Sequence, residues 1–473
     1  MTGLIHELAV LLLFSSSATV TAHLLGVRNI WLALSVGTLI GVTARTITFS
    51  IANLFDLLQF SAWLFLGLAL AVLLIGFVLA KQKQLLGRSL LVSSSAAVLA
   101  VVSTRVIGLS PIGHGDSRWI VTIAEHMQNG GDMGVLNGRT SIKRGFAYPQ
   151  MLALGPEGEF LSAFTPYVFA ALAAGSVWLI LELTKSMKTR TVLLAGVPIL
   201  LAAITATVPL RSVFYINGHT LTALGMLIAT GWVVIAIRDK HLTQLGLASI
   251  MLGFFVTATS RPEGIAMVAL IALPLLAQKW ISRKQQMLVI SSATVGLSMW
   301  LSVYNSYIIN ETTLPWYVFS AIFIGLGLVP TLKIFDFLRH RLVPLAFAAM
   351  VLVITASQIL FSDALSKGNA SQFANLIQGE GLWGYLAIAV VLVALIIGIN
   401  GMSDSYKTLL TISLLLILGT FIAKMIDGGQ FGNPTLGRIG WSDSLNRMWI
   451  HSFAIVVVTI WLGMSERLAG RKQ

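Results

Sequence analysis

Residues 109–160 read LSPIGHGDSRWIVTIAEHMQNGGDMGVLNGRTSIKRGFAYPQMLALGPEGEF. This is the only long polar interruption before residue 160 in a chain that is otherwise almost continuously apolar. Asp116 stands just past the end of an apolar run. Trp119, Ile123 and Met127 then recur every four residues, with Ile120 and Ala124 beside them, which predicts an amphipathic helix of about three turns. It is too short and polar to span a membrane and is expected to lie along an interface. Gly130-Gly131 should stop it. Lys143-Arg144 follow, and then Tyr148-Pro149, read as a second stop.

The rest of the chain sets the solvent. Of 473 residues, 56% are hydrophobic and 10% charged, with a mean hydropathy of +0.87. A soluble domain could not bury that much apolar surface, so lipid surrounds most of the chain. The first residues, MTGLIHE, lack a basic stretch, so no cleavable signal is expected. Cysteine is absent, which excludes disulfides, thiolate catalysis and Cys-metal sites.

About fifteen apolar cores have the ~17–25 residues needed to cross ~30 Å of hydrocarbon. They fall near 4–25, 30–50, 57–80, 89–108, 161–184, 191–210, 216–237, 243–260, 263–278, 286–308, 315–332, 342–361, 383–400, 408–425 and 447–463. The count drops to about thirteen if the pairs around Arg261-Pro262 and Asn310 are re-entrant. The expected fold is therefore an all-α polytopic membrane protein with 13–15 transmembrane helices. It has one continuous membrane domain, no soluble module and no internal repeat.

The connecting loops alternate in charge. One set carries 19 of the 31 basic residues and five of the 18 acids, a net of +14; the other set has a net of −1. The positive-inside rule puts the first set and the C-terminus in the cytoplasm, and loop 109–160 outside. Topology thus explains the overall charge of +13, and no nucleic-acid partner is expected.

Several basic residues oppose that bias. Arg45, Arg105, Arg211, Arg261 and Lys424 fall near external ends of spans. One reading is snorkelling to headgroups. The other is an anionic, lipid-linked ligand, because Arg offers phosphate a bidentate fork. Asp116, in GHGDSR, is either a general base for a hydroxyl group or the cap of the following helix. Arg261 and Glu263 in SRPEG are either a cheap ion pair or part of a site. Arg211 with YINGH at 215–219 makes a second polar lip, which includes His219. In DSLNRMWIH at 443–451, Asp443 serves as cap or contact. Arg447 and His451 share one face of the entering helix and suit a phosphate or pyrophosphate. His114, Asp116, Glu125, His126 and Asp132 match no compact metal motif. No metal is therefore assigned, with a divalent cation as the alternative.

These features resemble the GT-C superfamily of polytopic glycosyltransferases. The likeness lies in Asp116 after a span, the juxtamembrane helix behind it, the phrase RGFAYP at 144–149, SRPEG at 260–264 and the 443–451 string. It covers residues 89–473, with 1–88 as additional N-terminal transmembrane helices. The resemblance implies transfer of a sugar from a polyprenyl-phosphate donor to a glycan, lipid or protein acceptor of the cell envelope, on the outer face of the plasma membrane. It also implies a role in cell wall biogenesis. Asp116 would be the catalytic base. Arg447, His451, Arg261, Arg144 and Arg211 would bind donor phosphate, and Glu263, His219, Tyr148 and Asp443 would make other substrate contacts. Two alternatives remain: a glycan polymerase or ligase with a lipid-pyrophosphate donor, and a transporter or lipid flippase.

Overall fold

The computed structural model describes residues 2–55, 57–80, 82–108, 115–129, 145–156, 159–261, 263–307, 327–360, 401–429 and 448–470, with residues 321, 325, 383, 390 and 397–398 between them. The chain is an all-helical, multi-pass membrane protein, with no β-strand among the described residues. Nine helices among those residues are long and apolar enough to cross a membrane. Three shorter apolar helices lie at Thr189–Ala203, Gln244–Ser260 and Gly264–Leu276. With the helix Arg283–Tyr307, a helix stands at thirteen of the fifteen expected cores. The other two, 315–332 and 383–400, lie largely outside the described residues.

The N-terminal part is α1 (Thr2–Leu24), α2 (Ile30–Leu54), α3 (Ser61–Leu79) and α4 (Lys83–Val101), which runs on as a π turn at Val102–Val106. The polar loop holds α5 (Gly115–Gln128) and α6 (Ala147–Leu152). Next come α7 (Phe164–Leu183), α8 (Thr189–Thr205), α9 (Thr207–Ser212), α10 (His219–Asp239), α11 (Gln244–Ser260), α12 (Gly264–Leu276) and α13 (Arg283–Tyr307). The last part is α14 (Lys333–Leu338), α15 (Leu342–Leu360), α16 (Asp404–Gly429) and α17 (Ile450–Leu468).

Lipid cannot satisfy backbone polar groups, so every span must be helical, and side chains close the helix ends. The Asn29 carboxamide oxygen accepts the Trp31 and Leu32 N–H groups at 2.9 and 3.1 Å and so starts α2. The Thr243 hydroxyl accepts the Gly246 N–H at 3.0 Å and starts α11. Lys240, in the left-handed region at φ 48°, ends α10.

Central and peripheral helices differ sharply. α10 is buried on nearly every side, whereas α3 buries only Ser61, Phe65, Ala69 and Gly76. α10 packs on α7, α11, α12, α16 and α17. Its contact with α11 is close because Gly225 and Gly253 face each other: an added Cβ on Gly225 would stand 2.6 Å from the Gly253 carbonyl oxygen. Small residues let helix backbones approach where lipid supplies no hydrophobic drive. One buried apolar cluster runs from Val10 to Leu462 and includes residues of α1, α2 and α4 as well as the later helices.

Polar groups sort to two ends of this bundle. At one end Arg238 pairs with Glu182 at 2.9 Å, and the Ser403 N–H donates to Glu466 at 3.0 Å. At the other lie the pairs of Glu7 with Arg105 and of Arg261 with Glu263.

Three local expectations need correction. The expected span 191–210 is broken at Ala206, which is extended. Pro209 has no N–H, and its ring clashes with the carbonyl four residues earlier, at Thr205, where α8 ends. Tyr148-Pro149 starts a helix rather than stopping one, since Pro149 is the third residue of α6. There its missing N–H would have had no intrahelical partner. Finally, the apolar stripe of α5 docks on protein: Ile120, Ile123, Ala124 and Met127 are buried in the core. The helix spans Gly115–Gln128 and ends just before Gly130-Gly131.

Candidate functional site

Five segments, far apart in sequence, meet at the end of the bundle that holds α5 and α6. The start of α5 is tied by Ser117, whose hydroxyl donates to the Ile216 carbonyl at 3.0 Å. The segment Gly145–Tyr148 is tied by the Phe146 N–H, which donates to the Thr259 carbonyl at 3.0 Å. Gly145 lies at φ +65°, and a Cβ there would overlap the Ser260 carbonyl; only glycine lets the two backbones close in this conformation. Gly218, just before α10, packs against the Ser260 carbonyl, Tyr148 and Arg261. The fifth segment is the first turn of α17.

The turn between α11 and α12 joins a helix of 17 residues to one of 13. Arg261 in that turn is 6% exposed. Its Nε donates to Glu263 Oε1 at 2.8 Å, Nη2 lies 2.7 Å from the same oxygen, and Nη1 donates to Asn217 Oδ1 at 3.3 Å. The ion pair foreseen as the simple reading of SRPEG is therefore present. It also does more, because it fixes Asn217 at the start of α10. All three guanidinium nitrogens are engaged, and Nη1 and Nη2 each keep a second N–H that an incoming anion could accept.

Asn217 Nδ2 donates to the Tyr215 hydroxyl at 3.4 Å. Two residues on, His219 Nδ1 stands 2.7 Å from His451 Nε2, so one ring donates and the other accepts. His451 Nδ1 is buried and has no hydrogen-bond partner among the described residues. A buried ring nitrogen without a partner is costly, and at a polar meeting point it marks where a ligand atom or water would sit. Tyr148 is wholly buried, and its hydroxyl bonds that of Thr165. Burial pushes the phenol up from its ordinary range, with Thr165 acting the other way. Tyr148 thus stays neutral and serves as a hydrogen-bonding group rather than a base.

The structure brings together Tyr148, His219, Arg261, Glu263 and His451. It puts the backbone of Asp116 in the first turn of α5, one residue before Ser117. That is inside the helix rather than at its cap. Arg211 is exposed on α9, and Thr220 links that helix to the start of α10 through the Ser212 carbonyl at 3.4 Å. The side chain of Asp116, together with Arg144, Asp443 and Arg447, lies outside the described residues. Among the described residues no group of three His, Asp or Glu side chains is placed to hold a metal. Glu125 is exposed and His126 half-buried on α5.

Sequence reasoning missed a second cluster beside this site. Glu7 of α1 is fully buried. It accepts the Arg105 Nε–H at 2.8 Å and the Ser162 hydroxyl at 3.0 Å. Arg105 also reaches Glu159, at 2.6 Å. Arg105 precedes the 109–160 loop and Glu159 stands at its end, so this cluster clasps the base of the loop. An acid within an apolar run was the available signal.

Comparison with family models, curated proteins and solved structures finds no match.

Proposed function

We propose that this chain is an integral-membrane glycosyltransferase that takes a sugar from a polyprenyl-phosphate donor. The observation that carries the reading is the meeting of the α5 start, Tyr148, Asn217, His219, Arg261, Glu263 and His451 at one end of an apolar helix bundle. Buried, hydrogen-bonded polar groups within a membrane protein mark function. An acid at the start of a helix that docks on this cluster suits proton abstraction.

In this reading the acceptor hydroxyl oxygen attacks the anomeric carbon and its proton passes to the Asp116 carboxylate. The bond between the anomeric carbon and the phosphate oxygen breaks, and the lipid phosphate leaves as an anion. A phosphate leaving group needs little acid assistance. Arg447 and Arg144 are the proposed cations for it. His451, held by His219, offers its open nitrogen to donor or acceptor. The Arg261–Glu263 pair positions Asn217. A single displacement inverts the anomeric centre. The acceptor is a cell-envelope glycan, lipid or protein.

The test is reconstitution. Full-length protein in proteoliposomes, given a polyprenyl-phosphate sugar labelled in the sugar and an envelope extract, should move label to the acceptor and release free polyprenyl phosphate. Passage of the intact donor across the bilayer, with its sugar–phosphate bond uncut, would refute transfer and leave a transporter. Chains of many sugars from a pyrophosphate donor would point to a polymerase.

The reading also places the site on the outer face of the plasma membrane and the C-terminus inside. The chain has no cysteine of its own, so single cysteines at Asn137, Ser282 and Gly429 report cleanly. An impermeant thiol reagent on intact cells should label 137 and 429 and spare 282. Labelling of 282 alone would invert the topology.

A further inference from the structure

Arg45 is a buried basic residue that the clusters above do not include. It lies on α2, about 13 Å along the helix from the Leu54 end, and its side chain is 1% exposed. Arg105 and Arg261, two other cations of this end, each have a carboxylate. Among the described residues Arg45 has none. Its Nε donates to the Gln150 carbonyl at 3.4 Å, and its guanidinium stands 5.7 and 5.9 Å from the ring centres of Phe49 and Phe65. Its Nη1 is buried without a hydrogen-bond partner among the described residues.

Gln150 is in the same condition. It is fully buried, and neither its amide nitrogen nor its amide oxygen has a partner among the described residues; nor does the hydroxyl of Thr46, the next residue after Arg45. Three kinds of buried polar group are thus left open around two residues already bonded to each other. Native proteins leave few such groups unsatisfied. A guanidinium cannot shed its proton to escape, and neighbouring aromatic faces do not neutralise it. Tyr148 and Gln150 are two residues apart on α6 and project to roughly opposite sides of it. The open groups therefore lie across α6 from the contacts Tyr148 makes with Thr165 and Gly218.

We propose that Arg45 and Gln150 form a second, separate site that binds a phosphate group. The guanidinium and the Gln150 amide N–H groups donate to its oxygens, and the Gln150 amide oxygen accepts from a protonated phosphate oxygen or a water. Free inorganic phosphate and the headgroup of an anionic lipid both carry this chemistry. The site does not depend on sugar transfer, and its test reads binding alone.

The test is thermal unfolding of the full-length protein in nanodiscs at fixed chloride concentration. One arm titrates inorganic phosphate in phosphatidylcholine nanodiscs; the other replaces part of that lipid with phosphatidylglycerol. A ligand at a hundredfold excess over its Kd should raise the wild-type unfolding temperature by about 2–4 °C. A shift in the first arm identifies free phosphate as the occupant, and a shift in the second alone identifies the headgroup. Gln150→Glu puts a carboxylate beside Arg45 as an internal counter-ion. It should raise the unfolding temperature without ligand and abolish the response to either. Arg45→Met should abolish the response as well. A wild-type protein that responds to neither ligand overturns the proposal, and so does a Gln150→Glu variant that responds as wild type does.

Discussion

Asp116→Asn should lower sugar transfer by about 10²–10⁴-fold, the range spanned by general base catalysis, and leave thermal unfolding almost unchanged. Asn keeps the size of the side chain and leaves the backbone of the first turn of α5 as it is. The residue next to it anchors the helix, through the Ser117 hydroxyl and the Ile216 carbonyl, so the substitution does not release α5 from α10. On the proposed mechanism, only the capacity to take the acceptor proton is lost. The measurement is turnover of a defined polyprenyl-phosphate sugar at saturating donor and acceptor, with the unfolding temperature recorded on the same preparation. Asp116→Glu should recover part of the activity, because it restores a base that is misplaced by one methylene. Near-normal turnover in the Asn variant would make Asp116 a helix-start residue and remove it from the chemistry.

The helices themselves were legible because hydrophobic length alone defines a span in lipid. The segments of the site were legible for a related reason: SRPEG, YINGH and the end of DSLNRMWIH are polar breaks in apolar runs, and a membrane protein tolerates such breaks only where protein covers them. Their meeting was not legible. His219 and His451 are 232 residues apart and hydrogen-bond each other. That contact depends on which faces of α10 and α17 pack together. In a soluble helix an apolar stripe would show the face, but here lipid-facing and core-facing positions are both apolar. Glu7 was visible as an acid in an apolar run, but the same degeneracy hid its partners Arg105 and Ser162, 98 and 155 residues away. The break at Ala206 was readable from Pro209 and the reach of its ring. The docking of α5 on protein was not, since its stripe fits a lipid interface equally well.

Glu7→Ala should be among the most damaging single changes to stability. The side chain is fully buried and accepts from the Arg105 guanidinium, the Ser162 hydroxyl and the Ser162 backbone N–H. Removing one partner of a buried pair leaves the other charge uncompensated, a loss of about 3–5 kcal/mol, and the Ser162 N–H becomes a buried orphan. Arg105 is 26% exposed and retains Glu159, which draws the expectation toward the lower end, about 3 kcal/mol. Arg105→Ala exposes the opposite fault, a buried carboxylate without its cation. The double variant should therefore lose less than the sum of the two single losses, by about 1–3 kcal/mol of coupling. The measurement is a double-variant cycle on thermal or denaturant unfolding in detergent, with Glu159→Gln as a milder control because that side chain is 50% exposed. Additive losses would mean that the two residues act separately and that no clasp exists. The clasp also reaches the site through the chain. Arg105 and Glu159 bracket the loop that carries α5 and α6, and Gln128 at the end of α5 donates to the Gly155 and Pro156 carbonyls at 2.9 and 2.8 Å. Loosening the base therefore frees the segment that holds Asp116 and Tyr148 against α10, and transfer should fall in Glu7→Ala at temperatures where the protein is still folded.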